Sequence, residues 1–357
     1  MKFEPNFLGT GIGSLPYREA DKAMRLIREY MGYIPHWPQL PHLGEEEGFV
    51  EQFVAPLMEL GIVVSKEGRL FFDNGQPDWA DKMTRFYSLF LAAQEDEQEA
   101  KEFFRFTEKS AAGFYYFMED MAKYGTGDAR YVKGQISGPV TLGFRLTDQN
   151  RRAIYYDEQL RDILVKTLAL QGFWQAKAMA GFGVPVIIFV DDPGLYAYGA
   201  STHITLKRED IITDLKVIYE VIRSAGALAG THSCAGMDWS ILFEAGVDIV
   251  SFDAYEYFNT MQSYPGEAKE FINRGGVFAW GIVPTSEKVW DESVDTLEEK
   301  INQCLDFFAA KGIDRQKLIR QSMVTPSCGT GTLSTETAER IYQLTGLLSE
   351  RMRGQQV

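Results

Sequence analysis

Residues 185–191 read Pro-Val-Ile-Ile-Phe-Val-Asp, and residues 227–233 read Ala-Leu-Ala-Gly-Thr-His-Ser. Each is a short apolar run that ends in polar residues. Between them stand Ile211, Leu215, Ile218 and Ile222, at spacings of four, three and four. That spacing puts four apolar side chains on one face of a helix. A strand apolar on both faces, then an amphipathic helix, then another such strand is the repeating unit of a parallel sheet. The same rhythm recurs outward in both directions. Runs at 8–14, 33–40, 130–137, 247–253, 276–282 and 318–325 bring the total to eight, and Ala338, Ile341, Leu344 and Leu348 mark a last helix. Eight strand–helix units predict an α/β chain folded as a (β/α)8 (TIM) barrel. A doubly wound open sheet is the main rival, but its dinucleotide fingerprint is absent. In Gly9-Thr10-Gly11-Ile12-Gly13-Ser14 a serine stands three residues after Gly11, where the third glycine belongs.

About 90 residues separate the second run from the third, far more than one helix needs. The excess predicts an insertion at roughly 61–124 within a single domain spanning 1–357. Residues 61–74 read as two short strands around Lys66-Glu67-Gly68, a hairpin signal. Helical stretches are expected at 78–93 and 97–124. The second carries Phe103, Phe104, Phe106, Phe114, Tyr115, Tyr116 and Phe117, a cluster that reads as helix packing. The acidic group Glu95, Asp96, Glu97 and Glu99 reads as a solvated first turn.

Composition narrows the function. With 45% hydrophobic and 24% charged residues, the 357-residue chain is neither disordered nor fibrous. Its 36 basic and 50 acidic residues give a formal charge of −14, which argues against a nucleic-acid partner. No apolar run approaches the roughly 18 residues a bilayer span needs, so no membrane partner is expected. Residues 1–16 lack a basic stretch followed by an apolar segment and do not read as a signal peptide. Three cysteines cannot frame a disulfide scaffold in a chain this size, and the expectation is a reducing, cytoplasmic compartment.

In such a barrel the reactive groups come from the C-terminal ends of strands. Those ends carry Gly13-Ser14, Gln135, Asp191-Asp192, His232-Ser233-Cys234, Asp253, Trp280 and, shortly beyond the last run, Cys328. His232-x-Cys234 is the sharpest feature, because two ligands one residue apart at a strand end can converge on a cation. Cys328, from a distant strand end, would make a site assembled across the fold, as catalytic metals commonly are. Mixed imidazole and thiolate ligands suit zinc. A packed histidine beside two inert thiols is the plainer alternative. A cysteine–histidine nucleophile pair is a third, with poor geometry at this spacing. Cys304, mid-helix, reads as a small buried hydrophobe. Asp191 and Asp192 leave a buried strand together. They suggest recognition of a substrate ammonium group, proton transfer, or a helix cap.

The order of these motifs resembles the catalytic C-terminal barrel of cobalamin-independent methionine synthase, within the group that also holds uroporphyrinogen decarboxylase-like enzymes. Thr10-Gly11-Ile12-Gly13-Ser14-Leu15-Pro16 is similar to that family's opening motif. Lys133-Gly134-Gln135-Ile136-Ser137-Gly138-Pro139-Val140-Thr141 is similar to its K-G-x-x-T-G-P-V-T, Asp191-Asp192-Pro193 to its D-E-P, and His232-x-Cys234 with Cys328-Gly329 to its zinc ligands. The resemblance implies a zinc-dependent enzyme that methylates a small-molecule thiol such as homocysteine to make methionine. It implies His232, Cys234 and Cys328 as zinc ligands, with Asp253 (or Glu256) in place of the family's glutamate. Ile12, Gly13, Ser14 and Gln135 would bind substrate. Asp191 would take its ammonium group, with Asp191 and Asp192 as the catalytic carboxylates. The folate-using members carry a histidine where this chain has Gly281-Ile-Val-Pro-Thr285, and they have a further N-terminal half. The expected donor is therefore a methylated corrinoid, free or on a carrier protein. The rival from the same group is a decarboxylase-like enzyme acting on a tetrapyrrole or another carboxylated substrate.

Overall fold

The computed structural model describes residues 3–95, 97–200 and 205–354, so Asp96 of the acidic group lies outside the described residues. The described strands, in chain order, are β1 (Leu8–Gly9), β2 (Val63–Lys66), β3 (Arg69–Phe72), β4 (Val132–Ser137), β5 (Thr147–Asp148), β6 (Val186–Asp191), β7 (Leu228–Ser233), β8 (Ile249–Asp253), β9 (Val277–Val283) and β10 (Ser322–Pro326). Seven of them form one curled parallel sheet in the order β1-β10-β9-β8-β7-β6-β4. Strands β4, β6, β8, β9 and β10 are buried along their whole length, as a sheet covered on both faces requires.

Register decides which side chains share the inner face. Asp191 pairs with His232, His232 with Ser251, and Ser251 with Ala279. Two residues down each strand, an apolar set that includes Ile187, Phe189, Ile249 and Val277 packs within the curl. The larger core lies between the sheet and the helices. Ile211, Leu215, Ile218 and Ile222 are all buried on the helix Arg208–Ser224, and Ala338, Ile341, Leu344 and Leu348 on the helix Thr335–Gly354.

Three expected strands come out differently, and in the run 8–14 only Leu8–Gly9 is strand. The run 33–40 forms no strand, because Pro35 and Pro38 lack the N–H groups a ladder needs. It bridges both sheet edges singly instead. Lys133 N–H donates to the Pro35 carbonyl at 2.9 Å, and Gln39 N–H to the Gly13 carbonyl at 3.0 Å. The run 318–325 is a strand only from Ser322. Leu318 belongs to the helix Arg315–Arg320, which Asp314 starts by accepting the Lys317 N–H at 2.7 Å.

Strands β2 and β3 pair as an antiparallel hairpin whose two turn residues, Glu67 and Gly68, have φ of 53° and 73°. Positive φ at both positions is the turn that matches strand twist. β3 then pairs with β5, so the hairpin is tied to the rest of the fold. The helical stretch expected at 97–124 is two helices, Gln98–Phe103 and Ala112–Tyr124. Phe104, Phe106, Phe114 and Phe117 are buried, and Phe106 and Phe114 pack edge-on against Trp37. That cluster is core.

Candidate metal centre

His232 lies at the C-terminal end of β7, Cys234 follows one residue later, and Cys328 stands in the turn after β10. One ligand atom from each of the three falls within 4.8 Å of the others. The histidine is oriented for the purpose. Its Nδ1 lies 3.0 Å from Ser251 Oγ, while Nε2 is buried with no hydrogen-bond partner. When Nδ1–H donates to the serine, the Nε2 lone pair is left for a ligand bond. The nearness of the two sulfurs lowers the Cys234 pKa, with His232 adding to the pull, and raises that of Cys328. A thiolate is thus favoured where a metal ligand needs one. These three residues fit a soft or borderline divalent metal. Cys304 is apart from them, buried in the helix Val294–Ala310, where burial pushes its thiol up to about 12.

The expected fourth ligand is not in the group. Asp253 Oδ1 accepts the Glu256 N–H at 2.8 Å, and burial raises its carboxyl to about 6. Glu256 pairs instead with Lys288. An aspartate is one methylene shorter than the glutamate of the resembled family, and here its free reach is spent on the backbone three residues on.

The turn that carries Cys328 is fastened to the opening motif. Thr330 N–H and Oγ1 both donate to the Ser14 carbonyl at 3.0 Å, and Gly331 N–H donates to Ser14 Oγ at 3.2 Å. A Cβ at Gly329 would meet Ser14 Oγ at 2.2 Å, so a side chain there would turn that hydroxyl away from the Gly331 N–H. Gly13 is confined likewise: its φ is 156°, and a Cβ would meet the Gln135 amide at 2.7 Å. The carbonyls of Ile12, Gly13 and Ser14 are all taken, by Lys133 Nζ, Gln39 N–H and Thr330. The N–H groups of the same three residues make no hydrogen bond among the described residues. Successive free N–H groups of this kind favour an anion.

The two adjacent aspartates have separate fates. Asp191 is on the inner face with His232, and its Oδ1 is buried without a partner. Burial raises its pKa, against the pull of Lys133 and His232. Asp192 is fully buried and spent on structure. It accepts from Val140 N–H at 3.0 Å, Thr141 N–H at 2.8 Å and Thr141 Oγ1 at 2.5 Å, capping the helix Pro139–Arg145. A cap was among the readings of this pair, though the helix is not the one that follows it. A catalytic role for Asp192 does not fit this geometry, since neither oxygen is free.

Lys133 had no role in the sequence reading, and it is fully buried. Its signal was present, as a lysine within a strand buried on both faces must use its charge. Ser251 carried no such signal, because only the β7–β8 register puts it beside His232.

No family model matches the chain, and no curated protein matches it. Among solved structures it is similar to a protein described as a xylose isomerase-like TIM barrel/4-hydroxyphenylpyruvate dioxygenase fusion protein, with 14% identity and a TM-score of 0.33. The match covers 67% of this chain and 41% of that one, so the chain spans about two fifths of that protein's length. Among the described residues no helix is long and apolar enough to cross a membrane.

Proposed function

We propose that this chain is a zinc-dependent methyltransferase built as a (β/α)8 barrel, with 33–40 as the degenerate second strand, that methylates a thiol such as homocysteine to make methionine. One observation carries the reading. The imidazole and two sulfurs of His232, Cys234 and Cys328 converge at strand ends, with the imidazole Nε2 free of any other partner. A zinc ion bound there supplies Lewis acidity that lets a substrate thiol bind as its nucleophilic thiolate near neutral pH. Ser251 holds His232 in orientation. Asp191, with one carboxylate oxygen unpartnered, suits the substrate ammonium group, and the free N–H groups of Ile12, Gly13 and Ser14 suit its carboxylate. Opposite charges at the two ends of the amino acid orient its sulfur towards the ligands. Asp192 supports this arrangement from beneath as a helix cap. A methylated corrinoid is the donor that matches residues 281–285, which lack a histidine to protonate a folate nitrogen.

A decarboxylase-like reaction on a tetrapyrrole needs cations around the site to pair with several carboxylates. Arg130 precedes β4 and so lies at the opposite strand end, with its guanidinium over Tyr33. That leaves the thiol reading ahead.

Elemental analysis of the purified protein tests the centre. About one zinc per chain is expected, lost in Cys234→Ser and Cys328→Ser and kept in Cys304→Ser. Zinc-dependent demethylation of methylcobalamin by homocysteine tests the reaction. Turnover with methyltetrahydrofolate and none with methylcobalamin would overturn the donor assignment.

A further inference from the structure

We infer that Lys133 is a positioning residue, holding the Ile12 carbonyl so that the loop Ile12-Gly13-Ser14 turns its N–H groups towards a substrate carboxylate. The inference rests on the thiol amino acid reading above. It begins from an expense the fold need not bear. A lysine ammonium at full burial gives up its hydration, and an apolar side chain of like volume would pack there at less cost. The ammonium attracts the buried Asp191 carboxylate, yet its hydrogen-bond donors go to other groups. Nζ donates to the Ile12 carbonyl at 2.5 Å and to Gln135 Oε1 at 3.3 Å, and sits 4.6 Å from the centre of the Phe189 ring. Gln135 in turn donates to the Trp37 carbonyl at 3.3 Å and packs against Gly13. One side chain thus reaches Ile12 directly and Gly13 through Gln135.

The three loop carbonyls are not held equally. Those of Gly13 and Ser14 are held by the backbone N–H groups of Gln39 and Thr330, the second with help from Thr330 Oγ1. The Ile12 carbonyl is held by a side chain alone. A peptide unit is planar, so fixing that oxygen fixes the direction of the next N–H, which belongs to Gly13. Released, the Ile12–Gly13 peptide is free to rotate its oxygen towards the pocket, where it would repel a carboxylate. Glycine at 13 makes that rotation easy.

Binding to the zinc-loaded protein, measured by calorimetry, separates the possibilities. Homocysteine and propanethiol offer the same kind of sulfur, and only the first carries a carboxylate and an ammonium group. Wild-type protein should bind homocysteine more tightly. Lys133→Met should keep its zinc and its affinity for propanethiol, while its preference for homocysteine falls at least tenfold. Lys133→Arg, which keeps a charged donor, should retain part of that preference. An undiminished preference in Lys133→Met overturns the inference and leaves the thiol reading intact. So does equal weakening towards both thiols, or a loss in Lys133→Arg as complete as in Lys133→Met. Should Lys133→Met fail to fold, the arginine variant alone decides. No preference in wild type overturns the substrate reading and this inference with it.

Discussion

At Gly329 a side chain would crowd the hydroxyl of Ser14, a residue distant in sequence whose hydrogen bonds hold the Cys328 turn in register with the opening motif. Ser251 acts at similar short range on His232. Second partners of metal-binding imidazoles commonly contribute tenfold to a hundredfold in affinity. Ser251→Ala should therefore weaken zinc binding by about that factor, read by competition with a chromogenic chelator. An affinity unchanged from wild type would show that Ser251 does not orient the ring. Residue type made His232, Cys234 and Cys328 legible in the sequence, because few side chains can serve as soft ligands. Asp253 looked equally suitable by type and by position. It lies outside the group of three, with one carboxylate oxygen accepting from the Glu256 N–H, a local bond that no spacing rule discloses.

Among the elements, the helix Pro139–Arg145 depends on a carboxylate from another strand. Asp192→Ala would leave two backbone N–H groups and a hydroxyl unsatisfied in the interior. It should destabilise the fold by about 2–4 kcal/mol in urea unfolding, the sum of a lost cap and buried unpaired donors. A loss below about 1 kcal/mol would show that the helix finds another cap. Asp214, on the helix Arg208–Ser224, makes a contrasting case. It accepts from Tyr155 Oη at 2.8 Å, and burial raises its carboxyl to about 7, against the pull of Arg161. The folded state thus binds that proton more tightly than the unfolded chain does. Its contribution to stability is complete below about pH 4 and is lost as pH rises through 7. Asp214→Asn should flatten the fall in Tm between pH 4 and 8, and a pH profile identical to wild type would contradict the assignment. Helical periodicity made the helices Arg208–Ser224 and Thr335–Gly354 legible, whereas Pro139–Arg145 gave no such signal. The bridging segment at 33–40 was less legible, since its apolar residues read as a strand while its prolines prevented one. The break between Phe103 and Ala112 was hidden because aromatics stand on both sides of it and neither proline nor glycine falls within it.

For the whole molecule, the centre joins β7 to the turn after β10 and so links parts of the sheet that β8 and β9 separate. A metal that binds only the folded chain stabilises it by about 4 kcal/mol at a thousandfold excess over Kd. Removing it with a chelator should lower Tm, and restoring zinc should return it. A Tm indifferent to chelation would mean the three ligands hold no ion in solution. The parallel sheet itself was legible from alternating strand and helix signals, whereas its closure through single bridges was not. The order in which ligands appear along the chain has a further consequence for biosynthesis. His232 and Cys234 leave the ribosome long before Cys328, and among the described strands β1 pairs in the main sheet with β10 alone. Neither an ion held by all three residues nor the first strand can be seated until translation has passed β10 and Cys328. On the proposed function metal uptake would be a late event, and a nascent chain halted before Cys328 would present two ligands without the third, a half-site open to the wrong cation or to oxidation.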